Sequence, residues 1–182
     1  MTVVGLMGAI GAGKSTVAGM LRDLGAPVFD ADREAHEVLA ELGRTDRKAI
    51  AEQVFRDPGA LKALEAEVHP RVQARMEAWL KGRTGPAAVL DIPLLDEAGL
   101  ALRCDALLFV DAPESLRAER LKASRGWAPE EARRRQALQG GIPAKRAKAH
   151  AVIENGGDLA ATRRQVTEFW NRFVTPKGGS AR

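Results

Sequence analysis

The sequence predicts an α/β fold of three layers, α/β/α, built on a parallel five-stranded sheet with a helical insertion. Three observations carry that expectation. Near-continuous apolar runs alternate with amphipathic helical patterns, which is how strands covered on both faces read. A glycine-rich turn, residues 8–13, joins the first apolar run to the first helical pattern. Residues 34–83 are helical in pattern and contain no convincing strand.

Taken in order, residues 3–7 read as the first strand. Residues 14–24 follow as a helix, with Val17, Met20, Leu21 and Leu24 at helical spacing and Gly25 as its stop. Residues 27–30, 87–92, 106–111 and 151–154 supply the remaining four strands. Between the second and third, helical stretches are expected to break at Asp57-Pro58-Gly59 and again at His69-Pro70. A second helical excursion follows the fourth strand, with Pro113 and Pro129 near helix starts. The last helix covers residues 158–174, and 175–182 read as a flexible tail. The expected organisation is a core of residues 1–33 and 84–174, which includes the excursion at about 113–148, and a helical insertion at 34–83.

Composition narrows the function classes. A single cysteine, Cys104, leaves no internal disulfide and no structural zinc cluster, which suits a reducing, cytoplasmic setting. The start of the chain lacks the basic leader and long apolar run of a signal peptide. No segment approaches the roughly 20 apolar residues of a membrane span, so no membrane partner is expected. Net charge is +4, yet residues 113–148 alone carry ten Lys/Arg against four Glu, and the remainder of the chain is therefore −2. A local positive field attracts polyphosphates or nucleic acid. Aromatic residues at 4%, with no Tyr, argue against a base-stacking surface and hence against nucleic acid. The plainer alternative is a solvated basic helix face.

The segment Gly8-Ala9-Ile10-Gly11-Ala12-Gly13-Lys14-Ser15 satisfies G-x-x-x-x-G-K-[ST], with a strand before it and an amphipathic helix after it. Each residue type has its own task. Gly8, Gly11 and Gly13 let the backbone turn tightly and bring N–H groups, that of Ala12 among them, against phosphate oxygens. The helix that begins near Lys14 aims its positive end at the same anion. Lys14 supplies a mobile charge for the β- and γ-phosphates of ATP, Ser15 a hydroxyl for Mg²⁺, and Thr16 a further hydrogen bond. The chain thus reads as an ATP-using phosphotransferase.

Asp30-Ala31-Asp32 closes the second strand, and ligands of an open parallel sheet gather beyond the carboxyl ends of its strands. One of these carboxylates is expected to cap the following helix, and the other to accept the proton of an attacking hydroxyl. Asp91 ends the third strand. There it serves Mg²⁺ through a water or stabilises the turn.

With these segments in hand, the sequence resembles the dephospho-coenzyme A kinase family over nearly the whole chain. The motifs occur in the family's order. After G-x-I-G-x-G-K-S-T come D-A-D-x-x-A-H (Asp30 to His36), V-F (Val54-Phe55) and L-E-x-x-x-H-P (Leu64 to Pro70). D-I-P-L-L-x-E (Asp91 to Glu97), Arg120-Leu121 and V-I-E-N-x-G (Val152 to Gly157) complete the set. The resemblance implies a P-loop NTPase fold with a helical acceptor-binding insertion and a lid. It also implies transfer of phosphate from ATP, with Mg²⁺, to the ribose 3′-hydroxyl of dephospho-CoA, the last step of coenzyme A synthesis. By match, Asp32 faces that hydroxyl as base, Arg120 is a lid arginine at the transferring group, and Arg125 is a second one displaced by about one position. Asn155 and Gly157 match the stretch that borders the adenine of ATP. His69 and Glu97 match positions near the acceptor.

The chain departs from the family pattern in three places. Met7 and Ala9 replace a Thr and a Gly at the loop entrance, and Asp96 replaces an apolar aromatic. The stretch between Val38 and Asp46 looks shortened, and it belongs to the acceptor-binding insertion. Another P-loop kinase acting on a nucleoside or nucleotide is the nearest alternative. A non-kinase nucleotide-binding ATPase is less well matched, because neither N-K-x-D nor L-S-G-G-Q occurs.

Overall fold

The computed structural model describes residues 1–46, 57–92, 100–138 and 141–175. They belong to two compact units, Met1–Val28 with Thr84–Arg182, and Phe29–Arg83. The sheet comprises β1 (Thr2–Gly8), β2 (Val28–Asp30), β3 (Ala87–Asp91), β4 (Ala106–Asp111) and β5 (Ala151–Glu154), in the order β2-β3-β1-β4-β5. β1 is central and runs parallel to both neighbours, with Val4 opposite Val89 and Leu6 opposite Leu108.

Four consecutive β1 residues, Val4 to Met7, are buried. Since successive side chains point to opposite faces, both faces of the central strand are covered, and a near-continuous apolar run is the result. Leu90, Leu108, Phe109 and Ile153 extend this core, each under 2% exposed. Helix α1 (Lys14–Asp23) adds Val17 and Leu21, and the last helix adds Val166, Phe169 and Trp170. Because the chain passes from β1 to one side of the sheet and from β3 across β1 to the other, the strand order reverses at the carboxyl end of β1. Parallel sheets open a ligand crevice at such a point.

The second unit pairs α2 (Ala31–Glu41) with α3 (Pro58–Lys81). Val38, Val68 and Met76 are buried there, and Phe29 meets the Trp79 ring edge-on at 5.5 Å. Arg75 of α3 binds the carboxylates of Glu34, Glu37 and Glu41, which lie along α2. The expected break at Asp57-Pro58-Gly59 is a helix start: the Asp57 side chain accepts from Gly59 N–H at 2.7 Å, and Pro58 occupies the first turn, where a missing N–H costs nothing. The expected break at His69-Pro70 is overturned. α3 runs through Pro70 without ending. A proline in a helix interior costs about 3 kcal/mol. Val68 and Met76, buried on either side of Pro70, offset that cost by anchoring both halves, and the flanking Ala, Leu and Glu residues favour helix.

Three helices, α4 (Glu114–Arg125), α5 (Pro129–Leu138) and α6 (Ile142–Lys148), form the basic excursion after β4. Arg117 is buried and ties the excursion to the sheet, donating from Nε to Ala112 O at 3.0 Å and from Nη1 to Gln136 Oε1 at 2.6 Å. Arg125 and Arg135 lie over the Trp127 ring at 4.8 and 4.4 Å from its centroid. Arg134 and Arg135 bond Glu131 and hold its carboxyl below the usual range. Arg125, Arg134 and Arg135 are thus engaged within the excursion, by Glu131 or by the Trp127 ring. The final helix, α7 (Leu159–Phe173), starts at Asp158, whose side chain accepts from Ala161 N–H at 2.6 Å.

Candidate active site

The phosphate loop leaves β1 at Gly8 and is held down by two backbone bonds, Ala9 N–H to Val110 O at 3.1 Å and Ala12 N–H to Ala9 O at 3.0 Å. Among the described residues every positive φ falls on a glycine, so Ala9 fills the loop entrance without entering the left-handed region. Gly11 and Gly13 do enter it, at φ 77° and 89°. A side chain on Gly13 would also place its Cβ 2.3 Å from Asn155 Nδ2, well inside contact distance.

α1 begins at Lys14 with no side-chain cap and no acidic residue in its first turn. α2 is the contrast. It is capped by Asp30, which accepts from Arg33 N–H at 3.0 Å, and carries Asp32 and Glu34 in its first turn. Helix N-termini attract anions through their unpaired N–H groups and the aligned peptide dipoles. α2 meets that demand with its own side chains, whereas α1 has neither a capping side chain nor a first-turn carboxylate to do so, the arrangement that suits an anion.

The Lys14 ammonium is bonded to the Asp91 carboxylate at the end of β3, and both groups are largely shielded, 25% and 13% exposed. Ser15 and Thr16 are exposed at the start of α1. Among the described residues no group of three or more His, Cys, Asp and Glu could hold a metal. One hydroxyl (Ser15) and one carboxylate (Asp91) suit Mg²⁺, which keeps several waters and takes phosphate oxygens as ligands.

Arg120 and Asn155 come together at this loop. Arg120 donates from Nη1 to Ala12 O at 3.3 Å and from Nη2 to Asn155 O at 3.0 Å, and Asn155 Nδ2 donates to Ala12 O at 2.8 Å. Next to them Arg146 of α6 binds Asp111 at 2.7 Å and Glu154, the last residues of β4 and β5. Gly157 follows Asn155 in an open turn, with Ala161 Cβ the nearest atom to where its own Cβ would stand. Arg125 is exposed over Trp127. A cavity of about 300 Å³ between α4 and α5 is lined by Arg117, Leu121, Pro129 and Ala132 among others, and no phosphate-loop residue contributes to it.

In the second unit, Asp30 is the capping carboxylate of the pair, and Asp32 is exposed in the first turn of α2. The Asp32 carbonyl lies 2.5 Å from His36 Nδ1. Because a carbonyl can only accept, that ring nitrogen carries the proton. His69 is exposed on α3 beside Pro70. Glu97, with the rest of residues 93–99, and the Val54-Phe55 motif lie outside the described residues.

Sequence reasoning did not single out Thr162, which is fully buried and donates to Asn155 Oδ1 at 2.9 Å, nor the Arg146 clasp. The only trace of Thr162 in the sequence is its place four residues after the capping Asp158, an ordinary helix-start pattern.

A lysine-bearing loop after the central strand, a carboxylate bonded to it from the next strand and a basic excursion over the same sheet end are the working parts of a P-loop kinase. Comparison with known proteins narrows the class. The family profile described as dephospho-CoA kinase matches residues 2–42 and 35–161. A dephospho-CoA kinase of Deinococcus radiodurans is 44% identical over 90% of this chain and 88% of its own length. The crystal structure of TT1252 from Thermus thermophilus superposes with a TM-score of 0.84 at 37% identity, over 92% of this chain and 95% of that one. A dephospho-CoA kinase from Campylobacter jejuni gives 0.70 at 25% identity, over 97% and 98%. The chain belongs to the dephospho-CoA kinase family.

Proposed function

We infer that the protein transfers the γ-phosphoryl group of ATP to the ribose 3′-hydroxyl of dephospho-CoA, giving CoA and ADP, the last step of coenzyme A biosynthesis. The observation that carries this reading is the phosphate loop itself. Left-handed glycines precede an α1 N-terminus free of its own carboxylates, and Lys14 stands opposite Asp91. Family membership supports the acceptor.

In this reading the loop amides and Lys14 hold the β- and γ-phosphates, with Lys14 passing from Asp91 to the phosphate oxygens. Ser15 and, through a water, Asp91 would hold Mg²⁺, which would supply neutralisation of the phosphate charge. Asp32 takes the proton of the 3′-hydroxyl as its oxygen bonds to the γ-phosphorus, and the bond to the β–γ bridging oxygen breaks to leave ADP. Arg120 stabilises the charge on the transferring group. Thr16, Arg125 and Gly157 are assigned to ATP, and His69 and Glu97 to the acceptor. Residues 34–83 are assigned to acceptor binding, and the basic excursion at about 113–148 to a lid that shields the phosphates from water. Among the described residues no helix is long and apolar enough to cross a membrane, and a cytoplasmic setting fits both small-molecule substrates.

The test is an ADP-release assay with Mg²⁺ across acceptors: dephospho-CoA, adenosine, AMP and shikimate. Release that depends on dephospho-CoA is expected. Release that prefers a nucleoside, or that needs no acceptor, would overturn the reading.

A further inference from the structure

The Ala12 carbonyl, inside the phosphate loop, accepts from two side chains far away in sequence, Asn155 at 2.8 Å and Arg120 at 3.3 Å. Asn155 is 3% exposed, and its groups are engaged within the protein. Its backbone N–H donates to Asp111 O at 2.7 Å, its backbone carbonyl accepts from Arg120 at 3.0 Å, and its side-chain oxygen accepts from the Thr162 hydroxyl at 2.9 Å. Thr162 is fully buried, and its hydroxyl also lies 3.2 Å from Asp158 O, the carbonyl at the start of α7. The Ala12 carbonyl can only accept, so Asn155 must face it with nitrogen. The Thr162 hydroxyl on the other side holds the amide in that orientation.

In a trans peptide the C=O and the next N–H point in opposite directions across one rigid plane. The described chain has no cis peptide bond. Tethering the Ala12 carbonyl therefore fixes the direction of the Gly13 N–H, one of the amides that a loop of this motif offers to phosphate oxygens. Gly13 leaves the space in which the tether sits, since a Cβ there would stand 2.3 Å from Asn155 Nδ2.

We propose that Asn155, oriented by Thr162, is a positioning residue for phosphate binding: it sets the Ala12–Gly13 peptide plane and acts on ATP through that plane. This role rests on the loop's reading as the ATP site. It links α7, at the far end of the chain, to the direction of a single loop amide.

Steady-state kinetics and melting curves on the wild type, Thr162→Val, Thr162→Ser and Asn155→Ala test the proposal. Thr162→Val is expected to raise KM for ATP about tenfold, the scale of one buried hydrogen bond, and to leave KM for dephospho-CoA within about twofold. Thr162→Ser keeps the hydroxyl and is expected to return KM for ATP to within about threefold of wild type. Combining Thr162→Val with Asn155→Ala should be no worse than Asn155→Ala alone, because the hydroxyl acts through that amide. Equal ATP parameters in the Val and Ser variants, or additive losses in the double variant, would overturn the proposal. So would failure of both Thr162→Val and Asn155→Ala to fold where Thr162→Ser folds, since the network would then serve stability alone. If the wild type binds ATP but transfers nothing to dephospho-CoA, the acceptor assignment fails instead, and the same comparison is read from Kd for ATP.

Discussion

The Lys14 ammonium is bonded to the Asp91 carboxylate, joining the first residue of α1 to the last residue of β3. Two largely shielded opposite charges hold one another in place there. The arrangement keeps the cation from becoming an uncompensated charge. Lys14→Ala is expected to lower kcat by at least about a hundredfold, the usual scale for losing one charge-stabilising group at a transferring centre. Asp91→Asn keeps the shape and removes the charge. Its expected signature is a higher Mg²⁺ concentration for half-maximal rate, measured by Mg²⁺ titration at fixed ATP.

Asp30 and Asp32 separate by role in the structure, because only Asp30 is committed to capping α2. Asp32→Asn is expected to reduce kcat by about 10²–10⁴, the range of general-base contributions, while Kd for ATP stays near the wild-type value. Parallel losses in turnover and nucleotide binding would make Asp32 structural. Asp30→Ala should instead lower the melting temperature by the loss of a cap, about 1 kcal/mol.

Gly13→Ala combines a left-handed φ of 89° with a Cβ 2.3 Å from Asn155 Nδ2. Gly25→Ala is its control, since Gly25 has φ 96° and nothing within 4 Å of its Cβ position. Both variants carry the conformational penalty of about 1–3 kcal/mol. Only Gly13→Ala is expected to abolish ATP binding, as measured by calorimetric titration.

Cys104 has its thiol pushed up to about 11, first by burial and then by the nearby Asp105 carboxylate. The neutral form is favoured by folding, so the group's contribution to stability is present below the unfolded value near 8.5 and is lost as pH rises toward about 11. At pH 8 the thiolate fraction is about one in a thousand when folded and about a quarter when unfolded. Alkylation by iodoacetamide at pH 8 should therefore run at least about a hundredfold faster in denaturant than in buffer. Equal rates would place Cys104 in an ordinary solvated setting.

Much of the fold was legible because apolar runs in a doubly covered sheet have no polar alternation to disguise them. β4 and β5 begin and end where the sequence places them, and α1 lies one residue inside its expected end. The phosphate loop was legible for a different reason: the glycines and Lys14 are needed by local backbone geometry and by one charge, both of which are visible as residue types. Pro70 misled because its penalty is local, whereas Val68 and Met76 offset it through packing that sequence spacing does not display. Asn155 could be matched from its motif, but not the use of its side chain. That use depends on Ala12 meeting Asn155 through the fold: Asn155 lies 143 positions from Ala12 and 7 from Thr162, and one hydrogen bond joins it to each. The Arg146 clasp on Asp111 and Glu154 escaped notice for the same reason, since strand ends adjacent in the sheet are distant in sequence.

The most direct measurement is mass analysis of the products after incubation with ATP, Mg²⁺ and dephospho-CoA, with Lys14→Ala run alongside. The expected result is that wild-type protein converts dephospho-CoA to a species heavier by one phosphoryl group, carried on the ribose 3′-oxygen, with one ADP formed for each, and that the variant forms almost none. Unchanged dephospho-CoA beside intact, ATP-binding protein, or a phosphoryl group on another oxygen, would contradict it.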